Sequence, residues 1–455
     1  MMTDLKLNVC YLGLLSGVTM GLTAQNESRP NMVVIMADDL GTNELSCYGG
    51  KNLQTPNIDR IAKEGILLTN NYASATMSVP IRASLYTGLY PVRHGSFQNH
   101  KTSYSNIKSV THYLPEIGYR VGRTGKQHST PLSVYNFEEI PGFEINCVAP
   151  TAHFDTKGIE EFMTREDEPF CLYVCSTHPH TPWTWGNPDE FDESNLILPP
   201  NSVDNKETRA IFKQYLAEIR ALDIEVGAVL ESLEKTGKLD NTLVLFLGEQ
   251  GPQMPFGKWT CYRYGQHSAF IARFPSKIKA NTTSDAIVQY EDILPTMIDF
   301  AGGNPVDNLD GKSFLKVLTG KLKEHRNWSY GIHNNIPEGT AYPIRSIQDK
   351  RYKLIENLTP EVRYFEKHLM NVKNRKQVWA SWMESAATDQ EAKFLTDKYV
   401  NRPAIEFYDL KNDPWELNNL ANHKKYAQRI SAMRNELKNW MEQQGDQGIA
   451  MDVKF

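Results

Sequence analysis

The residues able to do chemistry fall in a few short runs. The first is Ser78-Val79-Pro80-Ile81-Arg82-Ala83-Ser84-Leu85-Tyr86-Thr87-Gly88. Pro80 suits the first turn of a helix, where a missing N–H costs nothing, and Gly88 suits its end. Ser78 then stands at a helix N-terminus, where free N–H groups and the helix dipole favour an anion. Arg82 lies one turn further along the same face. A hydroxyl, an anion-binding helix end and a guanidinium fork suit a tetrahedral oxyanion ester. An acidic pair, Asp38-Asp39, follows the apolar run 30–37, and an acid with an amide, Glu249-Gln250, follows 242–248. Adjacent carboxylates repel unless a cation or a proton joins them. Carboxylate and amide oxygens are hard ligands, suited to Ca2+ or Mg2+. Three more runs carry cations and imidazoles: Gly125-Lys126-Gln127-His128, Phe256-Gly257-Lys258-Trp259, and His178-Pro179-His180-Thr181-Pro182-Trp183.

Such groups need a scaffold that brings distant segments to one place. The runs 30–37, 170–176 and 242–248 are rich in β-branched and apolar residues, as buried parallel strands are. Each passes directly into polar groups, at the strand end where α/β sheets bind ligands. Helices are expected over 55–65, 206–235 and 286–302, from their caps and apolar period. Alternating strand and helix predicts an α/β fold with right-handed crossovers. After about residue 320, short strands over 327–332, 342–347, 352–356 and 406–410 and an amphipathic helix over 426–443 predict a smaller α+β unit. The stretch 361–402 reads as a charged, helix-prone insertion.

Composition narrows the classes. Of 455 residues, 40% are hydrophobic and 23% charged, and the net charge of −5 gives no polyphosphate-binding signature, so no nucleic-acid partner is expected, though a basic pocket inside the acidic envelope stays open. Residues 1–24 read as a signal peptide: Lys6, an uncharged apolar stretch over 9–23, and Leu22-Thr23-Ala24 before a cleavage point at Gln25. That stretch is too short for stable membrane insertion, so a secreted or periplasmic protein is expected. Cys171 and Cys175 have the spacing of buried strand residues, and no zinc-type cysteine pairs occur.

These runs, in this order, resemble the serine-type members of the formylglycine-dependent (type I) sulfatases, of the alkaline phosphatase superfamily. Ser78, Pro80, Arg82, Leu85, Thr87 and Gly88 match that family's signature, with Ile81 where Ser or Ala is usual. Lys126 and His128 match its Gly-Lys-x-His, Lys258 its later lysine, and His180 its His-x-Pro histidine. Glu249 and Gln250 stand where Asp and then His or Asn are usual, each one methylene longer. The phrase 407–416 matches the usual C-terminal strand and turn. The resemblance implies a large mixed, mostly parallel sheet flanked by helices in a catalytic domain over 25–320, and a subdomain with a small antiparallel sheet over 321–455. It implies that a sulfatase-maturing enzyme converts Ser78 to formylglycine, and that Asp38, Asp39, residue 78, Glu249 and Gln250 hold one Ca2+. Arg82, Lys126 and Lys258 would then neutralise the sulfuryl oxygens. His180 would protonate the leaving alcohol, and His128 would serve as base when sulfate is expelled.

The implied activity is that of a sulfuric ester hydrolase on a sulfated glycan. A serine-type signature with a signal peptide resembles the exported glycan sulfatases of gut bacteria, which suggests exo-acting removal of 3-O-sulfate from galactose of host mucin. His178, two residues before His180, would then hold the neighbouring axial hydroxyl, with Glu338 and Arg345 as further hydroxyl contacts. Three alternatives stand beside this reading: an N- or O-sulfoglucosamine (heparan-type) sulfatase, a phosphatase or phosphodiesterase of the same superfamily, and a non-catalytic sulfated-glycan binder. The phosphatases need more His and Asp ligands, for two zinc ions. The binder is favoured by Ile81, Glu249 and Gln250 and opposed by the intact Ser78, Arg82, Lys126, His128, His180 and Lys258.

Overall fold

The computed structural model describes residues 29–149, 153–371 and 378–451. The expected signal peptide lies outside them. At the centre is β1 (Asn31–Ala37), buried along its whole length. Met32, Val34 and Met36 enter one apolar core; Val33, Ile35 and Ala37 enter the other. That alternation between two buried faces is what a strand covered by helices on both sides requires.

β1 pairs in parallel with β5 (Phe170–Cys175) on one side and β6 (Thr242–Gly248) on the other. Beyond β5 come β3 (Arg120–Gly125) and the two-residue β4 (Glu138–Glu139). Beyond β6 come β7 (Phe270–Arg273), β2 (Ile66–Tyr72) and β8 (Thr282–Gln289). β7 runs antiparallel to both neighbours, which makes the eight-stranded sheet mixed. The long helix Lys206–Lys235 covers one face, starting where Asn205 accepts from the Thr208 N–H. Phe212, Leu216, Ile219, Leu222, Val226 and Leu233 bury its apolar stripe. On the other face lie the helices Ser78–Thr87 and Ile293–Phe300, through Ile81, Leu85, Leu294 and Met297. The unusual Ile81 is therefore a core residue, wholly buried.

A second, antiparallel sheet has the order β12 (Ile405–Asp409), β11 (Tyr352–Asn357), β10 (Ile344–Gln348), β9 (Ser329–His333). The helix Ala427–Gln444 packs on it through Met433, Leu437 and Trp440. One sequence expectation needs correction. The helix expected over 286–302 begins only at Ile293, because the run Ala286-Ile287-Val288 is the buried end of β8 beside β2. The stretch 361–402 is helical in part, as its composition predicts. Its helices Val378–Ser385 and Gln390–Val400 bury Trp379, Trp382, Leu395 and Tyr399 in the core under the long helix, and Trp382 Nε1 donates to Thr208 Oγ1 at 2.9 Å. Residues 372–377 of it lie outside the described ones. Among the described residues, no helix is long and apolar enough to cross a membrane.

The two sheets share a core. Trp440 stacks on Tyr330 with ring centroids 4.9 Å apart, and meets the edge of Tyr90, at the end of the Ser78 helix, at 5.2 Å. Trp440→Ala is expected to lower resistance to urea by about 3–5 kcal/mol, the usual range for emptying a buried tryptophan site. A loss below about 1 kcal/mol would show that the C-terminal helix contributes little to the joint fold.

Candidate active site

The site forms where four parallel strands end in step. Backbone hydrogen bonds carry the pairing past the strands: Ser176 N–H to the Met36 carbonyl (3.0 Å), Glu249 N–H to Ala37 (3.0 Å), Lys126 N–H to Cys175 (2.9 Å) and Asp38 N–H to His178 (2.9 Å). Gly125, at φ +82°, is needed for that approach, since a Cβ there would lie 2.1 Å from the Cys175 oxygen. Asp39 takes φ +60°, uncommon for a side chain other than glycine, and so turns the chain away directly after the strand.

Ser78 opens its helix, and Gly88 closes it in the left-handed conformation. The Ser78 hydroxyl donates to Glu249 Oε2 at 2.8 Å and lies 3.1 Å from Lys126 Nζ. Arg82, one turn on, donates from Nε to the other Glu249 oxygen at 2.5 Å. Lys126 Nζ also meets Asp38 Oδ2 at 2.6 Å, and Lys258 Nζ lies 2.7 Å from Asp39 Oδ1. Gln250 Nε2 donates to Asp39 (2.6 Å) and to Glu249 (2.9 Å). Asp38, Asp39, Glu249, Arg82, Lys126 and Lys258 are all at most 2% exposed, so three carboxylates face three cations out of water. Burial raises the Asp38 carboxyl, but Lys126 and His180 outweigh it and hold it below the usual range. Burial likewise disfavours the Lys258 ammonium, and Asp39 and Asp38 overcome it.

The donor set fits a divalent cation. One oxygen each of Asp38, Asp39 and Glu249 lies within 4.8 Å of the others. Asp38 Oδ1 and Gln250 Oε1 are buried without a hydrogen-bond partner. Orphaned buried oxygens are costly unless a cation takes them. An all-oxygen set suits Ca2+ or Mg2+.

Two imidazoles border this cup. His180 Nδ1 lies 3.1 Å from the Cys147 carbonyl and 2.6 Å from that of Thr181. Carbonyls only accept, so Nδ1 carries a hydrogen, and Nε2, 3.7 Å from Asp39 Oδ2, faces the acidic set. Burial and Lys258 lower the His180 pKa. His128 meets His100 Nδ1 through Nε2 at 3.3 Å, and burial with Lys126 and Arg82 beside it pushes its pKa down to about 2.

The remaining expected contacts lie elsewhere. His178 is 4% exposed; its Nδ1 is joined to Glu218 and its Nε2 lies 3.7 Å from Glu225, so the ring is turned into the protein and away from an incoming sugar. Arg345 is wholly buried in an ion pair with Asp446, with Nη1 on Asn334, and its guanidinium cannot reach a substrate hydroxyl. Glu338 stays near the mouth: Asn99 Nδ2 donates to it at 2.6 Å and His368 Nε2 at 2.7 Å. Asn99, His100 and Cys147 had no motif to mark them. Asn99 Oδ1 is 3.5 Å from the Val79 N–H, and the Cys147 thiol, His180 and Asp38 each bring an atom within 4.8 Å of the others.

Comparison with known proteins gives a consistent picture. A family model described as "Sulfatase" matches residues 30–303, and one for the C-terminal part of N-sulphoglucosamine sulphohydrolase matches 251–375. An ulvan-active sulfatase of Formosa agariphila is 32% identical over 427 residues, covering 92% of this chain and 81% of its own. Human N-sulphoglucosamine sulphohydrolase is 26% identical, covering 91% and 90%. A solved structure in complex with its substrate D-glucosamine-2-N,6-O-disulfate superposes with TM-score 0.70 at 23% identity, over 92% of this chain and 99% of that one. A phosphonate monoester hydrolase of Agrobacterium radiobacter shares the fold at TM-score 0.69 and 18% identity, over 91% and 96%.

The acidic set gives a direct prediction. In chelator-treated protein, Ca2+ at a 100-fold excess over its Kd should stabilise the fold by about 2.7 kcal/mol, read as a rise in Tm. Asp39→Asn and Glu249→Gln should each shrink that rise, by about 1.4 kcal/mol per tenfold loss of affinity. Equal rises in parent and variants would remove these residues from the ligand set.

Proposed function

The chain belongs to the sulfatase family, and we propose that within it this protein is an exported carbohydrate sulfatase whose nucleophile is a formylglycine made from Ser78. The enzyme is a sulfuric ester hydrolase of the type I class, with the alkaline phosphatase superfamily fold. One observation carries the proposal. Glu249 holds residue 78 with one carboxylate oxygen and Arg82 with the other, while Lys126 approaches residue 78 from the Asp38 side. The reacting oxygen and the groups that would stabilise a sulfuryl transition state therefore share one frame.

Asp38, Asp39, Glu249 and Gln250, with residue 78, are the proposed holders of one Ca2+. A bound cation would supply charge that activates the oxygen of residue 78 and offsets that of the sulfuryl group, and formylglycine would supply a second hydroxyl whose deprotonation re-forms the aldehyde and breaks the carbon–oxygen bond to sulfate, an exit that a serine ester lacks. The chain's own side chains account for the rest. With three carboxylates already matched by three cations, a bound divalent ion leaves the cup net positive toward an anionic ester. Arg82, Lys126 and Lys258 are pre-placed donors for the oxygens that gain charge as sulfur is attacked. His180, with Nδ1–H held by carbonyls, can act as the acid only as the imidazolium, whose second proton, on Nε2, the neighbouring Asp39 and Asp38 favour, and which would pass from Nε2 to the departing sugar oxygen. His128 is the proposed base as sulfate is released, and for that role the negative charge of the bound sulfuryl group would have to offset Lys126 and Arg82, which hold its pKa down.

A groove of about 1220 Å3 adjoins the His180 loop, with Thr181, Trp183, Gln214, Gln253, Ser381 and His368 in its walls. Its walls also carry Val148, Ile211, Met254 and Leu369, so amides, hydroxyls and an indole stand among apolar side chains, a mixture that a sugar with polar edges and an apolar face can meet. The local support for a 3-sulfated galactose of mucin is a free His178, and that ring is engaged by Glu218 and Glu225. Support for a sulfated glucosamine comes from the C-terminal family match and the human relative. A sulfoglucosamine is accordingly the first substrate to test and 3-sulfogalactose the second.

Protein made with a serine-type maturation system should carry residue 78 about 2 mass units lighter than serine, since an alcohol oxidised to an aldehyde loses two hydrogens. That protein should release sulfate from N-sulfoglucosamine or 6-sulfo-N-acetylglucosamine with a higher kcat/KM than from 3-sulfogalactose, and Ser78→Ala should be inactive on all three. Activity in Ser78→Ala would demand another nucleophile. Turnover of phosphate esters with two zinc ions bound would favour the phosphatase alternative, and tight binding of the sugars without turnover would favour the glycan binder.

A further inference from the structure

We propose that Glu218, on the long helix, is a positioning residue for the general acid: it clamps the loop that carries His180. The proposal rests on the reading of His180 as the acid. Glu218 is 2% exposed. Its Oε1 accepts the backbone N–H groups of Thr184 (2.8 Å) and Trp185 (2.6 Å), and its Oε2 is joined to His178 Nδ1. Glu225 lies two turns further along the same helix face. It accepts from the Ser176 hydroxyl at 2.5 Å, and its other oxygen lies 3.7 Å from His178 Nε2. Ser176 Oγ in turn accepts the His178 N–H at 3.0 Å, and Trp185 stacks on the His178 ring. One helix face thus holds both ends of the loop 176–185.

His180 is suspended between those ends. Its N–H reaches the Thr177 carbonyl at 3.0 Å, Trp183 Nε1 closes back on the Pro179 carbonyl at 2.8 Å, and Thr181 Oγ1 donates to Gln253 at 2.7 Å. The same loop supplies the His178 carbonyl that accepts the Asp38 N–H. Glu218 and His178 touch no reacting atom. Their work is geometric, and burying a carboxylate is costly enough that stability alone is a weak reason for it. An acid must stand within about 3 Å of the oxygen it protonates, so a loosened loop harms proton donation before it harms sulfuryl binding.

That separation sets the test. Matured parent, Glu218→Ala, Glu218→Gln and His180→Ala are compared on two esters: 4-nitrophenyl sulfate, whose phenolate leaves without a proton, and the sugar O-sulfate that the parent turns over fastest. Glu218→Ala should lower kcat on the sugar sulfate by about 10²-fold, the low end of general-acid effects. On the aryl sulfate it should lose less than about threefold, with KM little changed on both esters. Glu218→Gln keeps an acceptor oxygen for the two N–H groups and should recover most of the loss. His180→Ala should show the same ester dependence at larger size. If Glu218→Ala is unfolded by its Tm, Glu218→Asp, one methylene too short to hold the Thr184 and Trp185 N–H groups in place, and a graded series of phenyl sulfates still decide, through a steeper dependence of rate on leaving-group pKa than in the parent. Equal losses on both esters, or no loss on either, overturn the proposal while leaving the sulfatase reading intact. A parent inactive on every ester removes that reading, and this proposal with it.

Discussion

Everything around the reaction centre depends on the balance of buried charge behind Ser78. Asp38, Asp39 and Glu249 are shut away from water with Arg82, Lys126 and Lys258. Ionised groups in such a place are tolerable only in mutual contact, because each loses its hydration and only a close partner repays it. Removing one member leaves its partner unpaired, so the six restrain one another's position. They come from the ends of three strands, one helix and the loop after β6, and their pairing ties those segments together at one height above the sheet.

The sheet reaches that height by backbone bonding. β3, β5, β1 and β6 are parallel and adjacent, and the hydrogen bonds continue for a residue or two beyond the strands. The positions of Lys126, Ser176, Asp38 and Glu249 therefore follow from strand register, which the buried faces of a parallel sheet specify strongly. Side chains on loops alone would lack that precision. The loop around His180 is held from the long helix by Glu218 and Glu225.

Much of this was legible in the residues themselves. Apolar β-branched runs ending in carboxylates or histidines are local signals, and so are Pro80 and Gly88 at the ends of a helix. They placed β1, β5 and β6, and they put Ser78 and Arg82 on one helix face. Partnerships across long separations were not legible. Nothing near His178 announces Glu218, 40 residues on, or marks its ring as turned inward. Nothing near Arg345 announces Asp446, 101 residues on. The run 286–288 carries a β preference that a helical reading of 286–302 overrode, and only the neighbouring β2 shows the strand to be right. His100 and Asn99 follow no motif; they matter because the fold brings them beside His128 and Val79.

The burial of Ser78 sets an order of events in the life of the molecule. In the finished fold its side chain is 1% exposed, on a helix whose ten residues are all buried. The surrounding strands come from segments that reach as far as residue 289, so the enclosure closes only after most of the chain is available. If a second enzyme makes the proposed oxidation of residue 78, the native protein presents it with a hydroxyl closed off on a buried helix. The oxidation would then belong to the newly made chain, before the sheet assembles, and a chain that folded unmodified would keep the plain serine for as long as it stayed folded.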